Sequence, residues 1–209
     1  TMIVEVADDT LRNCEEPIRR WSRRAIDQLG VEVRTGVTVD AYEDGDVVLT
    51  DDTRLPGATV IWTAGFRPVD FLQELRVEKG QGNRLVVNDY LQLPANQRVY
   101  AAGDCAAAVP PGSDSALRMA VQFSLSGGKL AAENIVRTLR RKPLKAYDPA
   151  DLGYVVPLGS GHGAGIILGQ VTWGKLPSFL HYFMCSLRSW DWKNRIGIAR
   201  DYLRGKAKE

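Results

Sequence analysis

The densest chemical signal is the run Arg98-Val99-Tyr100-Ala101-Ala102-Gly103-Asp104-Cys105. A β-type segment ends there in small residues and a carboxylate. Small side chains at a strand end let the backbone approach a ligand closely. The Asp then stands at the carboxyl edge of a sheet, where open α/β folds bind ligands. A Gly-Asp pair alone is also an ordinary turn, so its neighbours decide its meaning. Cys14, Cys105 and Cys185 are odd in number, far apart and form no CxxC pair. That argues against a disulfide framework, a zinc site and a dithiol redox centre. Cys105 reads as a small buried thiol. His162 lies in Ser160-Gly161-His162-Gly163 and reads as part of an exposed turn. No acid–base residue and no metal site is assigned.

The elements that must position Asp104 are legible in outline. Met2 to Val6 is a short strand. Asn13-Cys14-Glu15-Glu16 resembles a helix start, with a side-chain acceptor and Glu three residues on. Ile18, Trp21, Ala25 and Leu29 recur at helical spacing, and Gly30 is a stop signal. Val31 to Val33 is the next strand. Val37 to Leu49 reads as strands around the acidic turn Glu43-Asp44-Gly45-Asp46. Thr59-Val60-Ile61-Trp62 predicts a buried parallel strand ending at Ala64-Gly65. Leu85 to Val87 and Val99 to Ala101 predict strands, and residues 116–140 predict a long helix despite Gly127 and Gly128. Tyr154 to Leu158 and Ala164 to Leu168 flank a Gly-rich turn and suggest a hairpin. That cluster, Gly159 to Gly165, opens no βαβ unit and so is not a nucleotide loop. Two amphipathic helices follow. Leu176, Phe179, Leu180, Phe183, Met184, Leu187 and Trp190 form one stripe; Trp192, Ile196, Ala199, Tyr202 and Leu203 form another.

The 209 residues allow one or two domains, and 44% hydrophobic with 25% charged residues is an ordinary globular composition. The net charge is only +2, but Val171 to Glu209 holds eight Lys/Arg against three acids. No leader opens the chain, and no run of about 18 apolar residues appears. The chain begins inside what reads as a strand, so it is expected to be the middle and end of a longer protein in a reducing, cytoplasmic setting.

Three motifs occur in order: Thr59-Val60-Ile61-Trp62-Thr63-Ala64-Gly65-Phe66-Arg67-Pro68, then Arg98 to Asp104, then Met119-Ala120-Val121-Gln122 through Lys129 to Ile135. Over about residues 1–140 this trio resembles the two-dinucleotide-binding-domain flavoproteins, the pyridine nucleotide oxidoreductase superfamily. The resemblance implies an α/β fold holding parts of the NAD and FAD domains, plus the C-terminal hairpin and amphipathic helices. The implied divisions are 1–68, 69–147 and 148–209. The implied FAD contacts are Ala102, Gly103 and Asp104, with backbone N–H groups at Met119, Ala120 and Val121 offered to the flavin. The implied NAD contacts are Glu5, at a strand end where an acid binds ribose hydroxyls and repels a 2′-phosphate, and the Ala64-Gly65 turn. Both glycine loops of the family would lie upstream of Thr1.

Within that superfamily the C-terminal region is similar to type II NADH dehydrogenases. These pass electrons from NADH through FAD to quinone while docked on a membrane. The resemblance implies membrane contact through residues 176–204 on the inner face of the cell membrane, a homodimer, and no nucleic-acid partner. Gln122 matches the first of two glutamines beside the quinone, while Ser126 and Gly127 stand at the later positions. Alternatives are a ferredoxin or rubredoxin reductase relative, a sulfide:quinone oxidoreductase relative, and a non-catalytic dimeric interaction module.

Overall fold

In the computed structural model β1 (Met2–Glu5) and β2 (Glu32–Thr35) pair in parallel, joined in sequence through α1 (Glu16–Gln28). The structure describes residues 1–159 and 161–206; Ser160 of the Gly-rich turn, and Lys208 and Glu209 of the basic tail, lie outside the described residues. The helix does not start at Asn13. Glu15 is the N-cap, its backbone extended and without a side-chain cap bond. Pro17 explains the shift: it has no N–H to donate to the Asn13 carbonyl, so it fits only a first turn. Ile18, Ser22, Ala25 and Ile26 form the buried face, and Leu29 is an exposed C-cap. Gly30, at φ +65°, ends the helix. Its N–H donates to the Asp27 carbonyl and the Val31 N–H to that of Ile26, a left-handed cap that suits glycine.

β3 (Val39–Glu43), β4 (Asp46–Leu49) and β5 (Arg54–Leu55) form an antiparallel sheet. Asp44 and Gly45, both at positive φ, make the two-residue turn between β3 and β4. The expected strand at Thr59–Trp62 is absent: no described strand pairs with it, and Ile61 and Trp62 are 84% and 67% exposed. An apolar run becomes a buried parallel strand only when neighbouring strands and covering helices are present to accept it.

Residues 63–151 make one compact unit; residues 1–62 with 152–209 make the other. The first of these holds a short α2 (Phe71–Glu74), β6 (Leu85–Val86), β7 (Gln92–Leu93), β8 (Asn96–Tyr100), β9 (Ala106–Ala107) and α3 (Val121–Leu139). β6 and β9 pair in parallel, and β7 and β8 antiparallel. Leu72, Leu85, Leu93, Ala101 and Ala106 form one core cluster, and Leu91, Ala108, Ala131 and Tyr147 another. The α3 helix starts five residues later than expected. Residues 116–120 are held out of the helix instead: the Leu117 N–H donates to the Ala108 carbonyl, and the Arg84 guanidinium donates to the Leu117 carbonyl at 2.6 Å. Asn134, fully buried on α3, donates to the carbonyls of Tyr90 and Lys145 and accepts the Lys145 N–H.

The other unit is completed by β10 (Gly153–Pro157), β11 (Gly163–Ile167), β12 (Gln170–Trp173), α4 (Lys175–Arg188) and α5 (Trp192–Lys206). The hairpin gains a third strand, β12, through a two-residue turn at Leu168-Gly169, both at positive φ. The glycines of this region serve packing. A Cβ on Gly165 would sit 2.0 Å from the Tyr154 carbonyl, and one on Gly163 would sit 2.8 Å from the Ser178 nitrogen of α4. The three-stranded sheet contacts both α1 and α4.

Candidate functional site

Asp104 lies in a single helical turn, Gly103–Cys105, that links β8 to β9. Gly103 has φ +71°, and a Cβ there would meet Ser124 Oγ at 2.9 Å and Ser124 Cα at 3.2 Å. Both the backbone conformation and the approach of α3 therefore require glycine. Asp104 is exposed, and its Oδ1 accepts a hydrogen bond from Ser124 Oγ at 3.2 Å. The Cys105 thiol is half-buried and donates to the Ala102 carbonyl. The strand-end turn is thus anchored on the first turns of α3.

Beneath it, Arg84 is only 4% exposed. Its guanidinium donates to the carbonyls of Gln81, Ala106 and Leu117. Burial pushes its pKa down, and the nearby Asp104 charge opposes that. A cation held this way contributes positive potential under the turn while its donors stay satisfied.

The start of α3 supplies the second half of the constellation. Met119 and Ala120 precede the helix, and Val121 is its first residue. Phe123 and Ser124 both donate their N–H to the Ala120 carbonyl at 3.0 Å. The N–H groups of Val121 and Gln122 come before the first N–H that bonds back to the Ala120 carbonyl, at the positive end of the helix dipole. Gln122 Nε2 donates to Asp151 Oδ1 at 3.0 Å. Arg118 grips the same carboxylate with both terminal nitrogens, Nη2 to Oδ1 at 2.7 Å and Nη1 to Oδ2, and its guanidinium lies 5.1 Å from the Phe123 ring centroid. One turn on, Ser126 Oγ bonds the Gln122 carbonyl and meets the Tyr147 hydroxyl, which donates to the Phe123 carbonyl. The structure therefore brings Ala102, Gly103 and Asp104 against α3, with Met119, Ala120, Val121 and Gln122 at its start. Arg84 and Ser124 join this turn, and Asp151 stands apart from it as the side-chain partner of Gln122. Sequence spacing does not reveal these three, because their partners lie many residues away.

Glu5 ends β1 in the other unit, half-buried, and its Oε1 accepts the Ala7 N–H at 2.9 Å. Nearby in sequence, Asp9 binds both Arg19 and Arg23, so these charges are internally paired. Ala64 and Gly65 are exposed; Gly65 has φ +96° and its N–H donates to the Thr63 carbonyl.

This ordered set can be compared with known proteins. The family described as pyridine nucleotide-disulphide oxidoreductase matches residues 1–124. The chain belongs to this family. Within it, the chain is 28% identical over 180 residues to the type II NADH:quinone oxidoreductase of Staphylococcus saprophyticus, covering 85% of the chain and 44% of that protein. It is 37% identical over 131 residues to an NADH dehydrogenase-like protein of Mycobacterium tuberculosis, covering 63% of the chain and 32% of that protein. The chain thus spans less than half the length of these curated relatives. The fold resembles that of NDH2 from Plasmodium falciparum, solved with NADH, at TM-score 0.75 and 13% identity over 98% of the chain and 57% of that protein. The α/β fold of this oxidoreductase family is therefore the fold of the chain.

Proposed function

We propose that this pyridine nucleotide-disulphide oxidoreductase carries the flavin-facing turn and the acceptor side of a FAD-dependent NADH dehydrogenase that delivers electrons to a quinone. The observation that carries this reading is the Gly103-Asp104 turn seated on the start of α3. The donor and acceptor set fits FAD. The exposed Asp104 carboxylate would accept hydrogen bonds from ribityl hydroxyls, with Ala102 and Gly103 giving the ligand room. The N–H groups around Met119, Ala120 and Val121 would donate to a flavin carbonyl oxygen. Bound FAD would supply hydride acceptance from NADH; the protein supplies position and electrostatics. Glu5 would hold the adenosine ribose and favour NADH, with Ala64-Gly65 near the nicotinamide. The family's glycine loops are not among the 209 residues, so we propose that cofactor binding needs the protein at the length its source makes.

Two further parts of the proposal concern surroundings. The exposed apolar residues of α4 and α5, with Trp190 99% exposed, support docking on the inner face of a cell membrane, where basic flanks meet anionic lipid. Among the described residues no helix is long and apolar enough to cross a membrane. A homodimer would cover part of the same exposed apolar surface. A second reading, a non-catalytic dimeric interaction module, is favoured by the exposed run Val60, Ile61, Trp62 and Phe66. Asp104→Ala at natural length separates the two. The dehydrogenase reading expects flavin per protomer to fall severalfold in the purified variant. Equal flavin content in wild type and variant removes Asp104 from the site, and a folded, flavin-free dimeric wild type supports the interaction module.

A further inference from the structure

We infer that Asp151 is a positioning residue that sets the amide orientation of Gln122, and that the acceptor's affinity depends on it. The inference rests on the reading of Gln122 as the quinone-side contact. Asp151 Oδ1 receives both the Gln122 Nε2 donor at 3.0 Å and the Arg118 Nη2 donor at 2.7 Å. A carboxylate only accepts hydrogen bonds, so it admits one rotamer of the Gln122 amide: nitrogen toward Asp151, carbonyl oxygen turned away. A neutral amide or hydroxyl partner would admit either.

Arg118 makes this fixed. Its planar fork binds Asp151 through two nitrogens, a geometry that holds the carboxylate plane as well as its charge. The Phe123 ring, 5.1 Å away, seats the guanidinium in turn. Phe123 is buried on the first turn of α3, one residue after Gln122, so the clamp is anchored to the same turn that it orients. The Gln122 backbone is held separately by Ser126 Oγ on its carbonyl. The clamp acts on the side chain. The second family glutamine is replaced by Ser126, which points its hydroxyl back into the helix and toward Tyr147. This leaves Gln122 as the amide whose orientation matters to an acceptor. Asp151 follows α3 by more than a turn of chain and sits in no motif, which is why sequence spacing does not disclose it.

The test uses the natural-length holoprotein and a benzoquinone carrying a single isoprene unit. Asp151→Asn keeps the shape but lets the Gln122 amide flip and weakens the Arg118 pair. The expected result is a KM for the quinone raised about three- to tenfold, the range of one charged hydrogen bond in a partly solvated setting. Calorimetric Kd for the same quinone on the oxidised protein should rise in parallel. The rate with ferricyanide, which draws electrons from flavin without the quinone contact, should stay within twofold, and Asp151→Glu should recover part of the quinone affinity. Unchanged quinone KM and Kd in a folded Asp151→Asn protein overturn the inference. So does an equal fall in quinone and ferricyanide rates, which marks Asp151 as merely structural. A wild type that holds flavin and oxidises NADH but reduces no quinone overturns the underlying reading first, and the inference with it.

Discussion

Helices α3 and α4 solve opposite problems. On α3 the polar groups are turned inward and matched. Asn134 is fully buried, yet each of its amide atoms has a backbone partner. Ser124, Ser126 and Tyr147 likewise bond named groups on the turn or the helix. On α4 the buried side is built from Pro177 and Ser178, while Leu176, Phe179, Phe183, Met184 and Leu187 lie at the surface. One helix spends its specificity on holding its own fold in place. The other presents apolar area of a kind that a monomeric soluble surface rarely keeps contiguous. An internally satisfied helix suits the turn proposed above to face a cofactor. An apolar helix flanked by Lys175 and Arg188 suits a surface with an apolar interior and anionic rim.

The largest effect that would sharpen this contrast is at Asn134. Asn134→Ala removes the side-chain partner of the Tyr90 and Lys145 backbone groups at part-buried bonds and opens space at the fully buried Asn134 site. We expect a loss of about 2–4 kcal/mol in denaturant unfolding. A loss below about 0.5 kcal/mol would show that the α3 network is ornamental and remove one side of the comparison.

On α4 the expectation reverses. Phe183→Ser with Leu187→Ser removes exposed apolar area, so stability should change by no more than about 0.5 kcal/mol per site. Partition onto vesicles of mixed anionic and neutral lipid should fall by roughly tenfold or more, since each side chain carries about 1.5–3 kcal/mol of transfer free energy when fully buried. Vesicle binding that survives the double change, read by co-sedimentation, would move docking off α4. A fall in unfolding free energy of several kcal/mol would mean the stripe packs within the protein.

The two helices also differ in how far the sequence discloses them. The α4 stripe is readable as spacing because an i, i+3, i+4 pattern records which residues share a face. It cannot record which way the face turns, and here the apolar side is the outer one. For α3 the motif residues Gly103 and Asp104 are readable as a strand-end turn, but the reason for Gly103 is not. The Ser124 contact that forbids a Cβ comes from a helix residue 21 positions on. The early end of the predicted helix fails for the same cause: Arg84 captures the Leu117 carbonyl from across the unit, which no local propensity anticipates. The hairpins β3–β4 and β10–β11 are legible because alternation and Asp-Gly or Gly-rich turns are local, whereas β1 and β2 are legible only as separate strands, their parallel pairing running through α1. The Thr59–Trp62 run shows the limit of that logic. Its composition is right for a strand, but strand formation is a property of neighbours.

The smallest expected effect lies where α4 turns inward. His181 is half-buried, with Cys185 Sγ 3.6 Å from its Nε2 and the Tyr182 ring edge-on. Burial lowers its pKa below the usual histidine value, and the Arg188 charge about two turns on lowers it further. The folded protein therefore prefers the neutral ring. As pH falls through the ordinary histidine range the unfolded chain takes up a proton that the folded chain resists, so stability is present above about pH 6.5 and is lost below it. Denaturant midpoints at pH 7.5 and pH 5.5 should differ more in the wild type than in His181→Gln, which has no proton to gain. Arg188→Gln should shrink the difference only in part, because desolvation is the larger cause. If the acid limb is identical in wild type and His181→Gln, the inner face of α4 is more open to water than its packing against the β10–β12 sheet implies. The contrast with α3 would then rest on the outer stripe alone.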